Sequence, residues 1–181
     1  MTESAGGKSA ERTQHRDDLV DRIIDRWLAE RPDLDPFAKH VTGRIVRLNT
    51  LFHKAFGVDF GTEGLDEGCF AVLAALRRAG EPFELSPTVL NRELLITSGG
   101  VTHLTDRLER RGLVTRRRGE GDRRAVHVAL TAEGKTVADR SMTAHAATEQ
   151  RLAAALTSRE RDHLASLLRK LLVSLDAAPP E

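Results

Sequence analysis

The densest chemistry in this sequence lies in TSGGVTHLTDRLERRGLVTRRRGEGDRRAVHVALT, residues 97–131. From Arg107 to Arg124 there are eight arginines (107, 110, 111, 116, 117, 118, 123 and 124) against the acids Glu109, Glu120 and Asp122, an excess of five positive charges in a chain whose formal net charge is +1. A guanidinium is planar, always charged and able to bond phosphate bidentately, so this is local chemistry for a polyanion. Just ahead stand Ser98, Gly99, Gly100, Thr102 and His103. Paired glycines there let the backbone and a helix N-terminus approach phosphates and base edges. Other chemistries lack their residues. There is no nucleophile elbow, phosphate loop or dinucleotide fingerprint, so an enzyme is not expected. The seven histidines have no dense metal-ligand spacing, His145 and Glu149 sharing at most one helix face. No metal or cofactor is expected. The single cysteine, Cys69, cannot form an internal disulfide; it reads either as an oxidant-sensing thiol or as an inert core residue.

These residues need a scaffold, and the spacing supplies one. Leu19, Val20, Ile23, Ile24, Trp27 and Leu28 fall on one stripe of a first helix that stops before ERPDLDP. Asp35 and Pro36 open a second helix, whose Phe37, Val41, Ile45, Leu48, Phe52 and Phe56 recur at three- and four-residue steps up to a stop at Gly57. A third helix covers roughly residues 66–79 with Gly80 as its stop, and Ser86 with Pro87 opens a short fourth one near 87–93. Thr97 or Ser98 opens the next, with Val101, Leu104, Thr105 and Leu108 inward and Gly112 at its end. The period then shortens to two in Leu113–Arg118 and Arg124–Leu130, a hairpin around Gly119 and Gly121. Helical spacing returns from Thr131 to about Leu156, and the capping box from Thr157 to Glu160 starts a last helix reaching about Leu175.

The order short helix, glycine-led helix, basic hairpin predicts a mainly α fold with a small β wing: a winged helix-turn-helix. Its second helix fits the major groove of double-stranded DNA and its hairpin reaches an adjacent minor groove. The expected DNA-binding residues are Ser98, Gly99, Gly100, Thr102, His103, Arg107 and Arg110 on the helix, and Arg117, Arg118, Asp122, Arg123 and Arg124 on the wing. Arg124 is the foremost groove reader, with Asp122 placed to orient it; His103 reads equally well as an ordinary surface residue. The expected organisation is a tail (1–14), N-terminal helices (15–60), the winged domain (61–131), C-terminal helices (132–176) and a second tail (177–181). No apolar run approaches the roughly 18 residues of a membrane span, and the polar start lacks the apolar heart of a signal peptide, so cytoplasmic residence without a membrane partner is expected.

The stretch SPTVLNRELLITSGGVTHLTDRLERRGLVTRRRGEGDRRAVHVALTAEG, above all its DRR turn and closing LTAEG, resembles the MarR family of bacterial transcription regulators, over roughly residues 37–175. The resemblance implies a homodimer knitted by its N- and C-terminal helices, two winged lobes reading a palindromic operator, and a small-molecule effector that alters their spacing. Leu152, Leu156, Leu164, Leu167, Leu168, Leu171, Leu172 and Leu175 suit such an interface or an intrachain core. The added first helix and LAALRRAGEPFELSP are similar to the urate-responsive subgroup. There a tryptophan on the added helix, an aspartate on the helix before the motif, an arginine in the recognition helix and one beginning the wing form or couple the ligand pocket. Trp27 and Arg116 match the first and last, whereas Ala71 and Leu104 stand where the aspartate and the other arginine are expected. A buried purine anion would lose both polar partners, an expensive loss. The implied effector is therefore more apolar, aromatic or phenolic, near Trp27 with Phe52, Phe56 and Phe70 as neighbours and Arg116 coupling it to the wing. Trp27 could equally be a plain anchor for the added helix. A ligand-responsive repressor is the expected function. The alternatives are a redox regulator acting through Cys69 and a dimeric ligand-binding or protein-interaction module without specific DNA binding.

Overall fold

A computed structural model describes residues 17–94, 100–118 and 126–177. The chain forms two compact units that meet in sequence between Leu51 and Phe52, inside the second helix. In the N-terminal unit, α1 (Leu19–Glu30) starts at Asp18, whose carboxylate accepts the N–H groups of Val20 and Asp21 while the Asp21 carboxylate accepts the Asp18 N–H. The second helix, α2 (Lys39–Thr62), begins at Lys39 and not at Pro36. Asp35 still accepts the Phe37 N–H at 2.9 Å, but the turn that follows becomes helix only where Pro36 accepts the Lys39 N–H. Val20 and Ile24 are buried here, and a methyl group on Gly43 would come within 2.9 Å of Val20 Cγ1, so glycine is what lets the backbone come this close. Arg44 donates to Asp18 at 2.9 Å and Asp21 at 2.6 Å, holding α2 to the α1 cap.

In the second unit α2 runs straight through Gly57 to Thr62, which corrects the stop expected at Gly57. The aromatic rings of Phe56 and Phe60, the latter 2% exposed, outweigh the roughly 1 kcal/mol that a mid-helix glycine costs. The helix is ended by Gly64, at φ 64°, with the Leu65 N–H donating back to the Phe60 carbonyl. Then follow α3 (Glu67–Arg78), β1 (Glu84–Leu85), α4 (Pro87–Glu93), α5 (Val101–Arg110), β2 (Val114–Arg118), β3 (Val126–Leu130), α6 (Ala132–Leu152) and α7 (Ser158–Asp176). Ser86 caps α4 and Thr157 caps α7, as expected, and Asp66 and Thr131 do the same for α3 and α6. The three strands form an antiparallel sheet in the order β1-β3-β2, with Val114 opposite Leu130 and Arg118 opposite Val126. The expected hairpin thus has a third strand, in which Glu84 pairs with Ala129 and Leu85 with Val128.

One core holds these elements up to α6 together, built from Phe60, Val72, Leu73, Leu76, Leu90, Leu104, Leu108, Val128 and Val137. Gly134, the glycine of LTAEG, lies where α6 leaves the sheet; a Cβ there would overlap the Leu113 carbonyl. Helix α7 contributes no buried residue. Its Leu164, Leu167, Leu168, Leu171, Leu172 and Leu175 are 37–70% exposed, so they are not a core of this unit.

A candidate nucleic-acid interface

Helix α5 is the centre of the candidate interface. Gly100, rather than Thr97 or Ser98, immediately precedes it at φ 55°, a conformation that favours glycine, and a glycine offers no side chain of its own to cap the helix. The helix is sharply two-sided. Val101, Leu104, Thr105 and Leu108 are buried, while Thr102, His103 and Arg110 are exposed. His103, Asp106, Glu109 and Arg110 line one open depression on its outer side. Gly112, at φ 70°, then turns the chain into β2, and Arg117 on that strand is exposed. Ser98 and Gly99 before the helix, and Asp122, Arg123 and Arg124 at the wing turn, lie outside the described residues, as do the side-chain surroundings of Arg118.

The arginines of this lobe have different partners. Arg107 forms an ion pair with Asp66, the cap of α3, and the carboxylate holds the guanidinium above its usual pKa. Arg111 donates to the main-chain carbonyls of Gly64 and Glu63, each at 2.7 Å, tying the end of α5 to the end of α2. The Glu63 carboxylate in turn takes two bonds from Arg140 of α6, at 3.1 and 3.0 Å. Arg110 remains on the surface, its Nε donating to the Asp106 carbonyl one turn back at 3.3 Å. Arg116 reaches from β2 back to α5, where its guanidinium meets Asp106, Glu109 and, at 3.0 Å, the Thr105 hydroxyl. Sequence reading puts Asp106 on the outward side of the helix but names neither it nor Glu109 as a DNA contact, and their pairing with Arg116 is not foreseen. Their signal is two acids three residues apart on an otherwise basic helix, facing the strand that follows.

The residues expected to hold a ligand belong to both units. Trp27, 52% exposed, lines a groove of about 240 Å³ with Ile24, Leu28, Arg31, Leu34, Asp35, Pro36 and Lys39, all of the N-terminal unit. Arg31 is already held by both oxygens of Asp33, at 2.8 and 2.7 Å. In the second unit, Phe52, Phe56, Phe60 and Phe70 form an aromatic chain around His145, whose ring centre lies 4.3 Å from that of Phe56 and 5.0 Å from that of Phe70. Leu104 is 7% exposed within the core, a packing position. Ala71 is partly buried on α3. Cys69 is 1% exposed, and burial, with the neighbouring Asp66 charge adding to it, pushes its thiol up to about 11.

Comparison with known proteins bears on what such an interface does. The profile described as MarR family matches residues 63–125, the stretch from the end of α2 to the wing. The transcriptional regulator PecS of Dickeya dadantii is 35% identical over 152 residues, which cover 84% of this chain and 92% of PecS. Among solved structures, a cysteine-to-serine mutant of Escherichia coli MarR complexed with operator DNA superposes with a TM-score of 0.64 at 27% identity, covering 77% of this chain and 99% of that one. Bordetella bronchiseptica BpsR, whose DNA binding is regulated by 6-hydroxynicotinic acid, gives a TM-score of 0.65 at 25% identity, covering 79% of this chain and 97% of BpsR.

Proposed function

Because the chain belongs to the MarR family of transcription regulators, we propose that it acts in the cytoplasm as a homodimeric repressor of a palindromic operator, released by a small aromatic or phenolic effector. The observation that carries the DNA-binding part is the outer face of α5, glycine-led at its start and followed directly by arginine-bearing strand β2. The first N–H groups of a helix are donors suited to a phosphate. Thr102, His103 and Arg110 are the exposed side chains for base edges and backbone. The wing arginines, Arg123 and Arg124 foremost, supply the minor-groove contact, and Ser98, Gly99, Arg117, Arg118 and Asp122 complete the set. Two such lobes must stand about 34 Å apart to enter successive major grooves, so an effector that changes the separation releases the DNA.

The effector site is assigned to the groove at Trp27, whose half-exposed indole and aliphatic walls favour stacking with a planar ring. The structural neighbour BpsR, controlled by a hydroxylated heteroaromatic acid, supports an effector of that class.

Binding of the purified protein to its own upstream DNA, measured by gel shift across a salt series, tests the reading. Affinity should fall steeply with salt, and Arg123→Ala and Arg124→Ala should each weaken it. Salicylate and 6-hydroxynicotinic acid should release the complex, and Trp27→Ala should blunt that release. A protein that ignores its upstream region at low salt would instead be an interaction module without specific DNA binding. Tight binding of urate, with both aromatic acids inert, would overturn the effector assignment.

A further inference from the structure

We propose that Arg116 serves DNA binding without touching DNA, as a positioning residue that ties the root of the wing to the recognition helix and partly neutralises the two carboxylates on that helix. This rests on the DNA-binding reading above. Asp106 and Glu109 lie three residues apart on α5, so they share a face, and both border the same open depression as His103 and Arg110. They are 48% and 38% exposed. Duplex DNA carries about one negative charge per 1.7 Å of axis, so two uncompensated carboxylates on the docking face would oppose its approach. Arg116 answers both. One terminal nitrogen meets Glu109, the other meets Asp106 and the Thr105 hydroxyl at 3.0 Å, and the Arg116 main-chain N–H donates to the second oxygen of Glu109 at 3.2 Å. Glu109 therefore grips both the main chain and the side chain of the strand that carries the wing. Planar, forked geometry is what presents separate nitrogens to the two acids at once. The same filling of donors argues that Arg116 is not an anchor for an effector, which would have to displace three acceptors already in place.

The test uses full-length protein and a fluorescent duplex of the upstream region, with affinity followed by anisotropy at several salt concentrations. Arg116→Met should weaken binding about tenfold or more, by exposing both acids. The triple variant R116M/D106N/E109Q should return to within about threefold of wild type with an unchanged salt slope, because Arg116 releases no counterion and the amide oxygen that E109Q introduces can still accept the main-chain N–H. A triple variant as weak as the single one, with a slope smaller by about one, would mean that Arg116 contacts phosphate directly. An Arg116→Met protein of wild-type affinity would also overturn the proposal. If that variant does not fold, the triple variant against wild type decides by the same two outcomes. Failure of the wild-type protein to bind any duplex strikes the DNA-binding reading instead, which keeps the two failures apart.

Discussion

The thiol of Cys69 shows how burial decides chemistry at the scale of one residue. It sits in the first turn of α3, with its N–H bonded to the capping carboxylate of Asp66 at 2.8 Å. A helix start ordinarily lowers a thiol's pKa. Here burial wins, and the thiol is raised from 9.0 to about 11. A folded-state pKa above the unfolded value stabilises the fold fully below about pH 9, and this contribution is lost as pH rises from there through 11. Chemical denaturation across that range should show the decline, and Cys69→Ala should flatten it. Native protein at neutral pH should leave Ellman's reagent unreacted, and DNA binding should ignore peroxide. Rapid labelling, or peroxide-driven release, would restore the redox reading. The arginines make a parallel point. Sequence presents Arg107, Arg111 and Arg116 as part of one positive cluster, yet their partners are an aspartate, two carbonyls and two acids with a hydroxyl. Count and position are written in the chain; partnership depends on what folding brings opposite, so only the cluster is legible without the fold.

At the scale of elements, signals are legible wherever the physics is local. Asp66, Ser86, Thr131 and Thr157 each cap the helix that follows, because a side-chain oxygen two or three residues from an unbonded N–H needs nothing from the rest of the fold. Two features escape for the opposite reason. Strand β1 is only two residues long, too short to show alternation, and exists because β3 offers it a partner. Gly57 reads as a stop, but Phe56 and Phe60 on either side carry α2 onward by packing against Phe70 and His145. Gly134 tests the same idea of tertiary demand. Its site admits no Cβ because the Leu113 carbonyl occupies the space, and that carbonyl also accepts the Thr131 N–H at 3.1 Å, so it is not free to move away. Gly134→Ala should therefore pry α6 from the sheet and destabilise the protein by about 3 kcal/mol or more, beyond the modest helix-propensity gain of alanine. Thermal and urea unfolding would measure it, and a variant as stable as wild type would show that the junction can shift.

For the whole molecule, the largest unanswered demand is the apolar surface of α7. Leu164, Leu168, Leu171 and Leu175 recur at steps of four, three and four residues, the spacing of a seam between helices, and all are 37–70% exposed. Phe37, just ahead of α2, and Val41, Ile45 and Leu48 on it are likewise 40–77% exposed. A stripe of this length is more than scattered surface leucines and asks for a partner surface. A second copy supplies a self-complementary one, since an isologous contact pairs the same stripe with itself about a two-fold axis. Placing a charge on the stripe then acts twice per assembly. Leu171→Glu should remove about 1.5–3 kcal/mol of burial from each copy, so dimerisation should weaken about 10²–10⁴-fold, before counting the repulsion between the new carboxylates. Sedimentation should show a dimer for wild type and a monomer for the variant at the same concentration, with the circular dichroism of the winged unit retained. Because each lobe would keep its own contacts but lose the linked second site, operator binding should collapse to weak, half-site affinity. A variant that stays dimeric and binds normally would place the interface elsewhere, and a wild-type monomer would remove the geometric basis for reading a palindrome at all.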